Sequence, residues 1–507
     1  DQGADRLFGD RRIVSNLRSL VVRGGIAKVV SRVVQLGLRI AGVVVMARLV
    51  SPDDYGVFLM TTSFTLLLTM FNDMGLAKAT VQRQEINHAQ VSTLFWVNAA
   101  AGGLFFLFTL AAAPVLGWFY AEPRLVPVTM AMGTTFILSG LVVQHGALLQ
   151  RQMRFMTLET IAFVAQVAGA VAMYWSAWLG AGYWALVLNI VVIRLVEAVL
   201  TWRLAGWRPG WPRRGTGVRG MLVFGGHLSG AGFVSYFNRN LDNILIGLYW
   251  GPAVLGIYSK AYGLLKQPLS QIGSPTSAVI VPALSRLQDE PVRFRDYFIK
   301  AMKAVVFLAM PMVVFTWVDA RELVLILLGR KWLEVVPLFK ALAPAAILGV
   351  SQVFATWLYQ SLGRGERMFK SSTAVLGVLI LAFVGGLPWG GLGVAAAYSA
   401  AYCLIVYPSM AYAVRGTPLT LPDIAGAVWR PIAFAAAAGA ATAWFKTAVA
   451  VPGPVAARCG ADLAFFGLAY AAAWAVLPGG REFVSSISGP FMKWGREYLD
   501  RKRRAKS

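Results

Sequence analysis

The chain has 507 residues, of which 57% are hydrophobic and 14% are charged, and its formal net charge is +24. A soluble domain carries about 25% charged residues, so this composition excludes a soluble globular protein. The positive charge lies mostly in short loops between apolar segments. Charge in such loops determines the orientation of a protein in the membrane, so this distribution argues against nucleic acid as a partner. Cys403 and Cys459 lie in or beside apolar segments and predict no disulfide framework.

Apolar segments of the length needed to cross a bilayer, about 20 residues each, recur along the whole chain. We therefore expect an all-α integral membrane protein with about fourteen spans. The predicted spans cover residues 24–49, 57–77, 93–119, 126–149, 156–179, 183–205, 223–250, 254–282, 298–319, 336–362, 369–388, 392–413, 427–447 and 459–478.

Alternate loops between these spans differ in their content of Lys and Arg. The richer side holds clusters such as Arg11–Arg23, Arg203–Arg219, Arg286–Arg295, Arg364–Lys370 and Arg501–Arg504. An excess of Lys and Arg marks the cytoplasmic side of a membrane. The alternation therefore predicts an even number of spans, with both termini in the cytoplasm.

The basic, Pro- and Gly-rich linker at 207–222 separates the first six predicted spans from the other eight. It predicts two six-helix lobes followed by two further helices. The predicted segments are a basic N-terminal segment (1–23), an N-lobe (24–206), the linker (207–222), a C-lobe (223–415), two C-terminal spans (416–480) and a basic tail (481–507).

An internal repeat supports the division into lobes. Four pairs of residues lie 200 positions apart: Arg39 and Arg239, Pro52 and Pro252, Gly56 and Gly256, and Phe58 and Tyr258. Repeats of about six spans are typical of two-lobed transporters that bind substrate between the lobes. Chance, combined with the turn preference of Pro and Gly, is the alternative explanation.

Charged side chains inside the spans are candidate functional residues, because each costs roughly 2.5–3.5 kcal/mol at the centre of a bilayer. In the first span Lys28, Arg32, Gln35 and Arg39 are spaced to lie on one helix face. Lys28 and Arg32 could instead reach the cytoplasmic headgroups.

The other spans add further charged and polar positions. Arg239 and Asp242 lie one turn apart and could pair, and Arg194 and Glu197 have the same spacing. The second of these pairs could serve helix packing alone. The predicted substrate-binding cations are Arg32, Arg39, Arg239, Lys260 and Lys266. The predicted coupling or cavity-lining residues are Asp242, Glu159, Glu197 and Arg194.

Several cations with few acids to neutralise them suit an anionic substrate. His88, His145 and His227 have no second ligand at metal spacing, and no nucleotide-binding Gly-rich loop is present in the sequence. We therefore expect no metal site, no cofactor and no direct use of ATP. Protons or Na⁺ are the candidate coupling ions.

Five segments resemble a known family of polysaccharide exporters. They are Ala47–Phe58 (ARLVSPDDYGVF), Arg239–Gly247 (RNLDNILIG), Gly256–Pro268 (GIYSKAYGLLKQP), Val281–Glu290 (VPALSRLQDE) and Leu327–Ala343 (LLGRKWLEVVPLFKALA). The resemblance covers roughly residues 20–420 and is to the Wzx-type flippases, in the colanic acid exporter-like branch of the multidrug/oligosaccharidyl-lipid/polysaccharide (MOP) superfamily.

The resemblance implies two six-helix bundles related by pseudo-twofold symmetry, two further helices and alternating access. It also implies a location in the bacterial inner membrane and an undecaprenyl-pyrophosphate-linked oligosaccharide that is flipped to the periplasmic leaflet. The family's cavity residues would correspond to Arg39, Arg239, Asp242 and Lys266. Membrane lipid is an expected partner, as is the machinery that polymerises or exports the glycan.

Two other functions are open at this point. A multidrug antiporter of the same superfamily would export cations and would need acids lining its lobes, which the excess of bases disfavours. A membrane glycan polymerase or ligase would display catalytic residues on a large outer loop, whereas the outer loops here are short. We therefore expect a transporter and not an enzyme.

Overall fold

A computed structural model describes residues 42–72, 76–83, 86–212, 219–449, 452–476, 479–480 and 482–483. This part of the chain contains helices and connecting turns and no β-strand. The predictions made for Lys28, Arg32 and Arg39 lie outside the described residues.

Residues 42–49 are helical. The helices that follow are α1 (Pro52–Asn72), α2 (Leu76–Gln82), α3 (His88–Phe119), α4 (Leu125–Arg151), α5 (Phe155–Trp178), α6 (Tyr183–Ala205), α7 (Arg219–Ser285), α8 (Pro291–Val318), α9 (Ala320–Leu327), α10 (Val335–Ser361), α11 (Gly365–Gly386), α12 (Gly390–Val414), α13 (Leu421–Ala448) and α14 (Val455–Val476). Short 3₁₀ turns at Arg330–Trp332 and Leu387–Trp389 connect α9 to α10 and α11 to α12.

The described residues include ten helical stretches that are long and apolar enough to cross a membrane. Two of these stretches, Tyr236–Ser285 and Gly365–Val414, are 50 residues long and each contains a break in the helix. The predicted all-α membrane fold is confirmed. The number of fourteen spans stays a prediction.

The break in α7 falls at Gly251, whose φ of 77° and ψ of −177° are not helical. Glycine adopts a positive φ at little cost because it has no Cβ. Pro252 follows, and proline suits the first turn of a helix because its φ is fixed and no N–H is needed there. The sequence pair therefore ends one helix and begins the next, close to the predicted boundary between the spans 223–250 and 254–282.

The chain forms two compact units, one up to Ile257 and one from Tyr258 onward. In the first unit α3 packs against α4, and α5 and α4 both pack against α6. The predicted division into lobes at the 207–222 linker stays a prediction. The first part of α7 belongs to the first unit because it packs along α1, as described below.

In the second unit α10 and α11 pack against α12, while α13 packs against α8 and α14. Large buried side chains from these helices form one core, with Phe298, Phe354, Trp357, Phe434 and Trp474 among them. The two C-terminal helices therefore share the core of this unit.

Candidate functional site

The two copies of the sequence repeat lie against each other inside the first unit. A Cβ atom at Gly56 would overlap the backbone carbonyl of Pro252. A Cβ atom at Gly256 would likewise overlap the backbone carbonyl of Pro52. The contact is reciprocal, because the glycine of each segment lies against the proline of the other. A local twofold relationship between the two segments requires such a pattern.

Helix α7 continues along α1 from this contact. Gly247 lies beside α1, where a Cβ would be 3.2 Å from the terminal methyl of Met60 and 3.2 Å from the ring of Tyr120. Farther along, the buried phenol of Tyr236 donates a hydrogen bond to the backbone carbonyl of Ser63. These contacts fix the helix face on which Arg239 and Asp242 lie.

The structure separates the environments of these two predicted residues. Asp242 is 4% exposed, and its Oδ1 accepts a hydrogen bond of 2.9 Å from the backbone N–H of Asn243. Arg239 has an exposed side chain on the same helix. The predicted pairing of Arg239 with Asp242 stays a prediction, as do their roles.

The predicted pair of Arg194 and Glu197 forms on α6, with 2.9 Å between Nη1 and Oε2. Their side chains are 47% and 26% exposed, so this is a half-exposed pair and not a buried one. Glu159 is half-buried near the beginning of α5. The role of these three residues in coupling stays a prediction.

In the second unit Lys260 is buried, with 7% of its surface exposed. Its Nζ lies 5.6 Å from the ring centroid of Trp332, which is fully buried. An ammonium over an indole face is attracted by the electron-rich ring, and the attraction increases when water is excluded. Trp332 therefore stabilises the charge of Lys260 inside this unit. The sequence predicted Lys260 as a substrate-binding cation but did not predict this partner.

Lys266 lies two turns farther along α7 and has an exposed side chain. Its Nζ donates a hydrogen bond of 2.9 Å to the Tyr262 hydroxyl and lies 4.7 Å from the centroid of that ring. The Tyr262 ring in turn meets the Tyr398 ring edge-on, at 6.0 Å between centroids. The ammonium is therefore held in place by an aromatic side chain.

Tyr398 extends this group of rings. It stacks on Phe383 at 5.8 Å and contacts Tyr402 at 4.9 Å, centroid to centroid. The rings of Tyr262, Phe383, Tyr398 and Tyr402, together with Lys266, are called the ring cluster below. Sequence reasoning missed its tyrosines, although Tyr262 lies four residues from Lys266 and Tyr398 lies four from Tyr402, the spacing of one helix face.

Sequence reasoning also missed a buried ionic network near the C-terminal helices. Lys446 pairs with Asp319, with Glu322 at 2.9 Å and with Asp462 at 3.7 Å. Asp319 is fully buried, and burial raises its pKa to about 6 despite the opposing effect of the Lys446 ammonium. The network ties α9 to α13 and α14.

The fold defines the class of protein. It is shared with the lipid II flippase MurJ in an inward closed conformation, with a TM-score of 0.70 and 13% identity over 93% of this chain and 100% of that one. It is also shared with an inward-facing MATE family multidrug resistance transporter of the MOP superfamily, with a TM-score of 0.57 and 12% identity over 78% of this chain and 95% of that one. The chain has a membrane transporter fold.

The family follows from the sequence comparison. Residues 45–337 match the family described as polysaccharide biosynthesis protein, and the chain belongs to this family. The predicted resemblance to a polysaccharide biosynthesis family is therefore confirmed. The family is one of polysaccharide biosynthesis, and the fold is one that known transporters share.

Curated relatives cover most of the chain. Lipopolysaccharide biosynthesis protein WzxC of Escherichia coli (strain K12) is 25% identical over 75% of this chain and 78% of its own length. Teichuronic acid biosynthesis protein TuaB of Bacillus subtilis (strain 168) is 26% identical over 65% and 68%. Succinoglycan biosynthesis transport protein ExoT of Rhizobium meliloti (strain 1021) is 24% identical over 67% and 69%.

Proposed function

We propose that this protein is a flippase that moves a lipid-linked oligosaccharide across the bacterial inner membrane for export of a surface polysaccharide. Membership of the polysaccharide biosynthesis family supports the glycan, and the fold shared with a lipid II flippase supports a lipid-linked substrate. The relatives named for lipopolysaccharide, teichuronic acid and succinoglycan biosynthesis agree with a repeat unit as cargo.

The observation that carries the proposal is the ring cluster with Lys266 at its edge. A lipid-linked oligosaccharide contains an anionic phosphate or pyrophosphate next to sugars, whose C–H faces pack on aromatic rings. A lysine ammonium binds phosphate oxygens through charge-assisted hydrogen bonds. One cation beside the partly exposed rings of Tyr262 and Tyr402 therefore matches the junction between the phosphate and the first sugars.

The carrier proposed is undecaprenyl pyrophosphate, which the flippase transfers by alternating access from the cytoplasmic to the periplasmic leaflet. Arg32, Arg39, Arg239, Lys260 and Lys266 are the cations proposed to hold its phosphates. Asp242, Glu159, Glu197 and Arg194 are proposed to respond to a coupling proton or Na⁺. Cytoplasmic termini and a partnership with a polysaccharide polymerase or export complex belong to the same proposal.

The test is transport of a labelled undecaprenyl-pyrophosphate oligosaccharide in proteoliposomes, read as protection from a membrane-impermeant reagent. Lys266→Gln is compared with Lys300→Gln, which removes an exposed lysine of α8. A charged hydrogen bond contributes about 1.5–3 kcal/mol. We therefore expect Lys266→Gln to transport about tenfold to a hundredfold more slowly, and Lys300→Gln to match the wild type.

The outcomes separate the function from its site. Equal transport by Lys266→Gln and the wild type would retain the flippase and reject the ring cluster. Absence of transport by the wild type, with a validated flippase active in the same vesicles, would reject the function. Uptake of cationic dyes instead of the glycolipid would favour the multidrug antiporter.

A further inference from the structure

A second cationic site lies at one end of the pair formed by α11 and α12. These helices pack together and are joined by the short turn at Leu387–Trp389, so the beginning of α11 and the end of α12 meet. A groove of about 370 Å³ runs between them. Its lining is mostly apolar and includes Ala374, Val378, Leu404 and Pro408.

Arginines converge where the groove reaches the helix ends. Arg364 and Arg367 both donate hydrogen bonds to the backbone carbonyl of Arg415, at 2.7 and 2.8 Å. Arg364 also donates to the carbonyl of Gly416. Two half-buried guanidinium groups are thus held beside one carbonyl oxygen, and the exposed Arg415 follows directly on α12.

The arginines and the groove share helix faces. Arg364 directly precedes α11, and Arg367, Ser371 and Val378 follow on α11 at intervals of three, four and seven, which places them along one side. Ser371 and Val378 line the groove. A molecule with an apolar chain and an anionic head, lying along this side of α11, would reach both features at once.

The described residues pair no carboxylate with Arg364, Arg367 or Arg415, although Lys370, which also lines the groove, is paired. Glu366, one residue before Arg367, is already paired with Lys370 at 2.6 Å. Burial, together with the charge of Arg367, lowers the pKa of Arg364, so an anion placed between the two guanidinium groups would relieve their repulsion.

We propose that this groove binds an anionic membrane phospholipid, with an acyl chain between α11 and α12 and the phosphate at Arg364 and Arg367. Guanidinium groups bind phosphate through paired hydrogen bonds. Basic residues at the cytoplasmic ends of membrane helices attract anionic headgroups, and Arg364 and Arg367 belong to the side that the charge bias assigns to the cytoplasm. The site is distinct from the ring cluster and does not depend on the flippase proposal.

The two arginines also satisfy carbonyls at the end of α12, which is an ordinary role for basic side chains at a helix C-terminus. The two roles make different demands on charge. Glutamine retains an N–H group that can donate to the carbonyls, but it has no charge. Lysine retains the charge but loses the forked pair of N–H donors of the guanidinium group. Arg364→Gln/Arg367→Gln and Arg364→Lys/Arg367→Lys therefore distinguish lipid binding from capping.

The experiment titrates the purified full-length protein with phosphatidylglycerol or phosphatidylcholine and counts bound lipids by native mass spectrometry. Each basic residue near an anionic membrane contributes about fivefold in affinity, so the double glutamine variant should bind phosphatidylglycerol about 25-fold more weakly. The double lysine variant should retain most of the binding. Arg286→Gln, which removes an exposed arginine on the same predicted side, is the matched control.

A groove-filling variant tests the acyl chain separately from the charge. Ala374→Trp should reduce phosphatidylglycerol binding with both arginines in place, because Ala374 lines the groove and has an exposed side chain. The proposal is overturned if the double glutamine variant, checked as monodisperse, binds like the wild type. It is also overturned if phosphatidylcholine binds as well as phosphatidylglycerol. Displacement of the lipid by undecaprenyl-pyrophosphate oligosaccharide at much lower concentration would overturn it too, because the groove would then be a substrate site.

Discussion

Gly56 and Gly256 make the same contact in opposite directions. Each glycine lies against the backbone carbonyl of the proline that precedes its counterpart by four residues, Pro252 for Gly56 and Pro52 for Gly256. A repeat that was visible only as an offset of 200 positions is therefore also a physical interface within the first unit. Glycine is required on both sides because only a hydrogen atom fits between the two backbones.

Gly56→Ala and Gly256→Ala should each destabilise the protein by a similar amount. The added methyl group would overlap a backbone carbonyl oxygen. This overlap can be relieved only if the two segments move apart. Overpacking of this kind costs typically about 1–3 kcal/mol. Thermal unfolding in detergent measures the effect.

Gly103→Ala on α3 is the matched control for both substitutions. A Cβ there would meet no atom of the described part of the chain within 4 Å. Helix propensity favours alanine over glycine by about 1 kcal/mol, so this variant should be at least as stable as the wild type. Equal stability of Gly56→Ala and Gly103→Ala would contradict the close contact.

Asp319 should make stability depend on pH in a direction unusual for a carboxylate. Its pKa is raised from 3.8 to about 6, chiefly by burial, while Lys446 opposes the shift and Asp462 and Glu322 add to it. The folded chain therefore holds an extra proton between about pH 4 and pH 6. The stability that this proton contributes is complete below about pH 4 and is lost as the pH rises through about 6.

The comparison is between the wild type and Asp319→Asn, because other carboxylates titrate in the same range. The free energy of unfolding of the wild type relative to Asp319→Asn should fall as the pH rises from 4 to 6 and then level off. One pKa unit corresponds to about 1.4 kcal/mol. A difference that is constant with pH would show that Asp319 titrates at its ordinary value.

Lys446→Met should destabilise the second unit more than any surface lysine does. It would leave Asp319, Glu322 and Asp462 without their shared cation. Breaking one side of a buried ion pair costs about 3–5 kcal/mol. Arg458→Gln, which removes an exposed cation at the beginning of α14, should have little effect.

Hydrogen exchange shows which helices lose stability in Lys446→Met. Amides of α14 should exchange faster than in the wild type, since Lys446 joins α13 to Asp462 on α14. The double variant Lys446→Met/Asp319→Asn should recover part of the stability because the most buried carboxylate is then uncharged. A double variant less stable than Lys446→Met alone would contradict this account of the network.

The sequence predicted the elements whose causes are local. Apolar length predicted the all-α membrane fold, and the break in α7 at Gly251 and Pro252 lies within a few residues of a predicted span boundary. Helix spacing correctly paired Arg194 with Glu197. The Lys446 network could not be found in this way, since Asp319 and Lys446 are 127 positions apart and no periodicity relates them. The same is true of Arg364 and the carbonyl of Arg415, which only the pairing of α11 with α12 brings together.

Tyr262→Phe should separate positioning of Lys266 from its charge. The change removes the hydroxyl, which accepts the Lys266 hydrogen bond and lies 3.4 Å from the Tyr398 hydroxyl, and retains the ring that faces Tyr398. A hydrogen bond to a charged group contributes about 1.5–3 kcal/mol, but the freed ammonium can still reach a phosphate. We expect transport of the lipid-linked oligosaccharide to fall severalfold, which is less than in Lys266→Gln. Tyr249→Phe, which changes an exposed tyrosine of α7 outside both proposed sites, is the control. A loss in Tyr262→Phe as large as in Lys266→Gln would show that the hydroxyl itself contacts the substrate.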